Sequence, residues 1–225
     1  MMIIRQAGLG AALALGMAAF AEAQVAGIPV YYNPSGGTGF SVAGNLGFPN
    51  DDAGGGSAYA VSGGLGAGPL YFTATLGRRD LDQAGVDAEM TYGATASFRL
   101  IGGGLMPVAV AVQGGVGYVD FSGTTSLDIP VGVAIAPSLP LFPLKPWFAP
   151  RVHYTRVEIP SGTGSSTESA TSLGFSAGVN FNLLLGLGFH AAVDVVKVSD
   201  KLDPDEPTFT TFGIGAHWNF RVPLM

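Results

Sequence analysis

From about residue 37 onward, apolar residues alternate with small or polar ones in short segments broken by Gly, Pro, Asp and Ser. The last segment is the clearest: Phe212, Ile214, Ala216, Trp218 and Phe220 alternate with Thr211, Gly213, Gly215, His217 and Asn219. A period of two places the two sets on opposite faces of a β-strand. About ten such segments can be drawn, within the range of membrane barrels, with eight as the alternative count. Their apolar sets begin with Phe40, Val42, Leu46 and Phe48, then Tyr59, Val61 and Leu65, then Leu70, Phe72, Ala74 and Leu76. Met90 to Leu100 and Val108 to Tyr118 continue the pattern on even positions. In the middle, Leu127 to Ile135 contains Pro130, which calls for a bulge or a strand end, and the segment of Phe148, Val152 and Tyr154 is interrupted by Pro150. Alternation resumes at Leu173 to Leu183, at Phe189 to Val195 and in the last segment. The second face is too rich in Gly, Ser, Asn and charge for a dry core. This inside-out polarity predicts an all-β fold, a single antiparallel transmembrane β-barrel.

The connections predict its orientation. Polar, mostly acidic stretches at 49–57, 78–89, 120–126, 158–171 and 199–208 are candidate extracellular loops. Tight or apolar links at 67–69, 102–104, 137–146 and 184–187 are candidate periplasmic turns. Two aromatic bands are expected at the bilayer interfaces. Phe48, Tyr59, Tyr92, Tyr118, Tyr154, Phe175 and Phe212 fall toward the loops, and Phe72, Phe98, Phe148, Phe181, Phe189, Trp218 and Phe220 toward the turns.

The head of the chain reads differently. Arg5, an apolar run over residues 7–20 and Ala21-Glu22-Ala23 form the three parts of a secretion signal, with cleavage before Gln24. Residues 1–23 are therefore expected to be a signal peptide, and residues 24–36 a periplasmic segment or a plug. The barrel would occupy 37–220 and a short tail 221–225. The chain has no cysteine, which removes disulfides and thiolate metal sites. With 35 glycines, the chain still has 48% hydrophobic residues, which excludes a solvated disordered polymer. A net charge of −6, gathered in the predicted loops, gives no attraction for nucleic acid.

Across essentially the whole expected mature length, the chain resembles the small outer-membrane β-barrel proteins of bacteria with a double envelope. Gly215, Trp218 and Phe220 carry the most specific part, because Gly215-Ala216-His217-Trp218-Asn219-Phe220 is similar to the C-terminal strand signal of such barrels. The resemblance implies residence in outer-membrane lipid and recognition by the outer-membrane assembly machinery. Residues 221–225 depart from it, since the signal normally ends the chain. Trp218 and Phe220 also suit simple anchoring at the lower interface.

The candidate chemistry lies on the inward face. His153, His190, His217, Arg99, Arg151 and Asp194 all have lumen-facing parity, and Arg99, Arg151, His190 and His217 count toward the periplasmic end, with Asn182 and Asn219 near them. They suit either a weakly basic constriction favouring anions or a polar network that fills the barrel. Catalysis is not expected. The chain resembles omptin proteases in strand number, but no acidic pair joins a histidine at a predicted rim, and His153-Tyr154-Thr155 departs from the His-x-Ser of lipid A deacylases. No nucleophile, base and orienting group can be nominated together. The histidine spacing supports no metal site, and no cofactor is expected. Many inward residues are small, among them Ser41, Ala43, Gly47, Ala58, Ala60, Gly115 and Gly117. Because eight strands already leave an interior just wide enough for side chains, about ten so lightly lined predict space. Two functions follow: a narrow passive pore or binding barrel for small solutes, and a closed structural or surface-interaction barrel.

Overall fold

The structure, a computed structural model, describes residues 25–29, 38–82, 87–102, 106–121, 123–137, 143–161 and 164–220. The expected signal peptide, Gln24, Tyr31, Tyr32, Pro34 and the tail 221–225 lie outside them. Ten strands run in chain order: β1 (Gly39–Pro49), β2 (Ser57–Ala67), β3 (Leu70–Asp80), β4 (Glu89–Ile101), β5 (Val108–Phe121), β6 (Thr124–Pro137), β7 (Leu144–Ser161), β8 (Gly164–Asn182), β9 (Leu187–Lys197) and β10 (Thr208–Phe220). Each pairs antiparallel with its chain neighbours, and β10 closes on β1. Closure leaves no sheet edge, the condition for strands to cross a bilayer.

The strands tilt. Register partners followed round from Gly39 pass through Gly66, Tyr71, Ser97, Gln113, Gly132, Arg151, Gly174, Val196 and Phe209, and return to β1 beyond Pro49. Such stagger goes with strands inclined by roughly 35–45° to the barrel axis. Period two then decides the rest. The apolar set of every strand faces out, from Phe40, Val42, Leu46 and Phe48 on β1 to Phe212, Ile214, Trp218 and Phe220 on β10. These large apolar side chains are exposed because their solvent is lipid.

Several expectations need correction. Pro130 and Pro150 neither end a strand nor shift its register. Gly114 pairs with Val131 and Gly117 with Asp128, so β5 and β6 lose contact only opposite Ile129 and Pro130. Likewise β6 and β7 part only between the pairs Gly132 with Arg151 and Ile135 with Phe148. Each proline puts its missing N–H into one short gap while pairing on its other side, at His153 and Phe175 respectively. The one register shift lies elsewhere, between Arg99 and Ile101 of β4. The expected loop at 158–171 is a hairpin, since β7 and β8 stay paired to Ser161 and Gly164. Its polar sequence reflects strands exposed to water beyond the membrane. The loops expected at 78–89 and 120–126 shorten to 81–88 and 122–123 for the same reason. Phe175 also leaves its expected band: it lies 5.5 Å from the ring of Phe148, which belongs to the turn side.

Candidate functional site

The lumen is filled in three tiers. The outermost is apolar. Leu81, Val119, Phe121, Val157, Ile159, Val196 and Phe209 point inward and are buried together, joined by Val198 and Leu202 from the connection after β9 and by Ala53 from the connection after β1. Ala53 sits on a short 3-10 turn, Asp51–Ala53, whose first amide cap is Asn50: the Asn50 Oδ1 accepts from Ala53 N at 3.1 Å. The same oxygen accepts from Thr210 N at 3.1 Å, tying that turn to β10.

Residues 25–29 are inside this tier. Ala26 belongs to the apolar cluster, while Val25 and Ile28 pack with Ala58 and Ala60 of β2. The segment is a tight turn: Ile28 N donates to Val25 O at 3.1 Å across Gly27, whose φ of 77° is open to glycine. The wall is cut to fit it. A Cβ on Gly47 of β1 would collide with the Gly27 carbonyl, and one on Gly77 of β3 would stand 2.6 Å from Val25 Cγ1. Arg79 of β3, wholly buried, lies along Gly27 and donates from Nη2 to Ala53 O at 2.8 Å.

Below this tier, an ionic belt crosses β6 to β9. Arg151 of β7 donates from Nη2 to Asp194 Oδ1 on β9, reaching over Ser176 of β8, which donates to the same oxygen at 3.0 Å. Arg151 Nε donates to His153 Nε2 at 2.8 Å. Since an arginine only donates, His153 accepts there and its ring proton belongs on Nδ1, which faces Asp128 Oδ2 at 2.9 Å. Thr155 Oγ1 donates to the other Asp128 oxygen at 2.8 Å. Both ring nitrogens of His153 are thereby occupied, and the ring has no exposure. It has no nitrogen left for general base work. Beside this belt, Trp147 lies buried among Ala111, Ala134, Ala136, Ala149 and Ala192, filling that flank of the lumen.

The innermost tier is a hydrogen-bond belt of histidine, asparagine and hydroxyl groups. His190 Nδ1 and His217 Nδ1 are 3.0 Å apart, and their rings are nearly parallel, with 15° between planes. His190 Nε2 meets Asn45 Oδ1 at 2.8 Å and His217 Nε2 meets Asn182 Oδ1 at 3.2 Å. Asn45 Nδ2 donates to Ser62 Oγ at 3.0 Å, which bonds Thr75 Oγ1 at 2.9 Å. The rings fit because each faces a glycine across the β9–β10 ladder, His190 facing Gly215 and His217 facing Gly188.

Sequence parity thus placed the six polar lumen candidates on the right face, and the structure sorts them. His190 and His217 meet. Arg151, His153 and Asp194 meet, around Asp128, which sequence reasoning passed over although its even position between Leu127 and Ile129 marked it as inward. Arg99 stands apart from both belts at the turn end, where its Nη2 lies 3.5 Å from Gly68 O. Arg79 was hidden because residue 78 had been taken as the start of a loop. Among the described residues, no group of three His, Asp or Glu side chains gathers as a metal site. At the closing strand, Trp218 Nε1 donates to Leu185 O at 3.0 Å, and its ring lies 4.5 Å from that of Phe220. Both therefore anchor the last turn at the lower interface, with Gly215 facing inward.

Residues 7–220 match the family model described as the outer membrane protein beta-barrel domain. Among solved structures, the chain is similar to the N-terminal β-barrel domain of Pseudomonas aeruginosa OprF, with 13% identity over 82% of this chain and 99% of that one and a TM-score of 0.40. It is similar to Neisserial surface protein A, with 15% identity over 81% and 98% and a TM-score of 0.43. It is also similar to the outer membrane protease OmpT of Escherichia coli, with 6% identity over 81% and 94% and a TM-score of 0.43. A search of curated proteins finds no significant match. The chain belongs to the outer-membrane β-barrel domain family, and its place is the outer membrane of Gram-negative bacteria.

Proposed function

We propose that this outer-membrane barrel is a plugged conduit or binding barrel for small solutes, held closed by its own residues 25–29. The observation that carries the reading is the seat itself: inward glycines at Gly47 and Gly77 receive a turn of chain that sits in the lumen and makes no strand ladder with the wall. A wall shaped around a removable piece differs from one filled by its own side chains. Passage past the ionic belt would be little biased by Arg151, whose charge is matched by Asp194. Selectivity falls instead to Arg99 near the inner mouth and to the acidic outer connections, so it is salt-dependent. The reading includes no catalysis, and it keeps Gly215, Trp218 and Phe220 as the strand presented to the assembly machinery.

The test is single-barrel conductance in planar bilayers, with solute uptake in proteoliposomes, for the mature chain and for a deletion of residues 24–36. The mature chain should be nearly silent and the deletion should conduct. Silence of both, with no uptake, favours the second reading, a closed structural or surface-interaction barrel. That reading draws on the buried ionic belt, which a conduit would have to skirt or rearrange.

A further inference from the structure

We infer that the outer tier of the lumen is a binding site for a small, uncharged, apolar molecule, which occupies it by displacing residues 25–29. The inference rests on the plugged-barrel reading above and names the ligand class of that barrel. Its first support is the chemistry of what now sits there. Val25, Ala26, Gly27, Ile28 and Pro29 carry no charge and no polar side-chain atom, and the four with side chains are almost fully buried. The second is the wall. Barrel interiors are ordinarily polar, yet Leu81, Val119, Phe121, Val196, Leu202 and Phe209 all turn inward around this one level. Such a wall offers chiefly apolar contact, with the buried hydroxyls of Thr91, Ser126 and Thr211 and the side chain of Arg79 set among it, and a charged solute would lose its hydration on entering.

The third support is how the seat is bounded. Arg79, the cation of this level, lies along Gly27 with its Nη2 donating to the carbonyl of Ala53. The carboxylates of Asp128 and Asp194 below are already bonded to His153, Thr155, Arg151 and Ser176. Apart from Arg79 and a few hydroxyls, the chamber is therefore apolar at its sides, with a floor whose charges face one another. Over it, Leu202 belongs to a connection held at the rim by the exposed ion pair of Lys197 with Glu206, at 2.5 Å. Exposed pairs of this kind are weak, so the roof can part without breaking the barrel. What a guest would replace is the bulk of one valine, one alanine, one isoleucine and one proline side chain. One or two fused rings, or a short branched chain, have that size and polarity.

The absence of cysteine in the chain allows a direct test. Ala26→Cys places a thiol on the seated segment, and a membrane-impermeant maleimide reports when that segment leaves its seat. In outer-membrane vesicles the thiol should react slowly. Adding naphthalene should raise the rate saturably, by about tenfold or more if one buried ring system drives the exchange. Naphthalene-2-sulfonate, with the same rings and a charge, should leave it unchanged. Gly47→Ala in the same background should expose the thiol without any probe, which verifies that labelling reads seating. Val25→Cys substitutes for Ala26→Cys if the latter loses its heat-resistant folded band. The inference is overturned if naphthalene has no effect while Gly47→Ala does, or if the sulfonate matches naphthalene. A conducting deletion of residues 24–36 alongside a naphthalene-insensitive thiol removes the ligand and keeps the plug. If the deletion is silent and Gly47→Ala also leaves the thiol protected, the plugged-barrel reading itself fails.

Discussion

The two ends of the lumen are closed by different physics. At the outer end, Leu81, Phe121, Val196 and Phe209 close around a piece of chain that no ladder ties to the wall. At the inner end, His190 and His217 bond between neighbouring strands and reach past them to Asn45 and Asn182, closing the space. Apolar contact is non-directional and tolerates exchange of one occupant for another. A hydrogen-bond belt is directional, and each member left without its partner costs free energy. The contrast teaches that one barrel can be rigid in its polar floor and exchangeable in its apolar mouth. Between them, the Arg151–Asp194 pair belongs with the floor, because both side chains are almost fully buried.

That contrast can be broken most forcefully at the ionic belt. Asp194→Ala leaves the Arg151 guanidinium buried without its carboxylate, and should destabilise the folded barrel by about 3–5 kcal/mol. Denaturant unfolding in lipid vesicles measures this, and adding Arg151→Leu to the same chain should recover much of the loss. A smaller effect is expected on the lipid face, where Val110→Arg or Val193→Arg should cost about 2–4 kcal/mol if the site is near the bilayer midplane. The same charge at Gly115 of the lumen face should be better tolerated electrostatically; negligible and equal losses at Val110 and Val193 would overturn the face assignment.

The outer seat should respond more softly. Gly47→Val drives a side chain into the Gly27 carbonyl, and overpacking of this kind costs about 1–3 kcal/mol. The barrel should stay folded, shown by its heat-dependent shift on gels, while conductance rises toward that of the 24–36 deletion. A stability loss with no gain in conductance would make residues 25–29 ordinary core. The smallest change is expected at the floor's edge: Asn182→Ala removes one partner of His217, part-buried, for about 0.5–1.5 kcal/mol. Its conductance should not change, and opening by this substitution would reverse the assignment of rigid and exchangeable ends.

Much of this was legible along the chain because a two-residue period carries its own geometry. Once Phe212 faces lipid, Thr211 and Gly213 cannot. The faces of the strands follow from that rule, as does the inward direction of His153, His190, His217, Arg99, Arg151 and Asp194, whereas the count stays open between ten and eight because parity does not say where one strand stops and the next begins. The extent of β7 and β8 did not follow, since Thr167 and Ser169 look alike in a loop and in a strand that stands in water. Pro130 and Pro150 misled for a related reason: a proline disturbs only the neighbour its nitrogen faces, and which neighbour that is depends on pairing.

The sequence by itself determined the address, the period, and which side chains meet lipid, because those depend on residue type and on parity alone. Which inward residues meet was decided by the stagger of the closed barrel. Arg151 reaches Asp194 across an intervening strand, and His190 meets His217 diagonally beside Gly188 and Gly215, because tilt sets the height of each strand against the next. The seat for residues 25–29 likewise exists only after closure. Gly47 and Gly77 lie on strands that do not pair, and they come to face one segment only when the wall has curved around it.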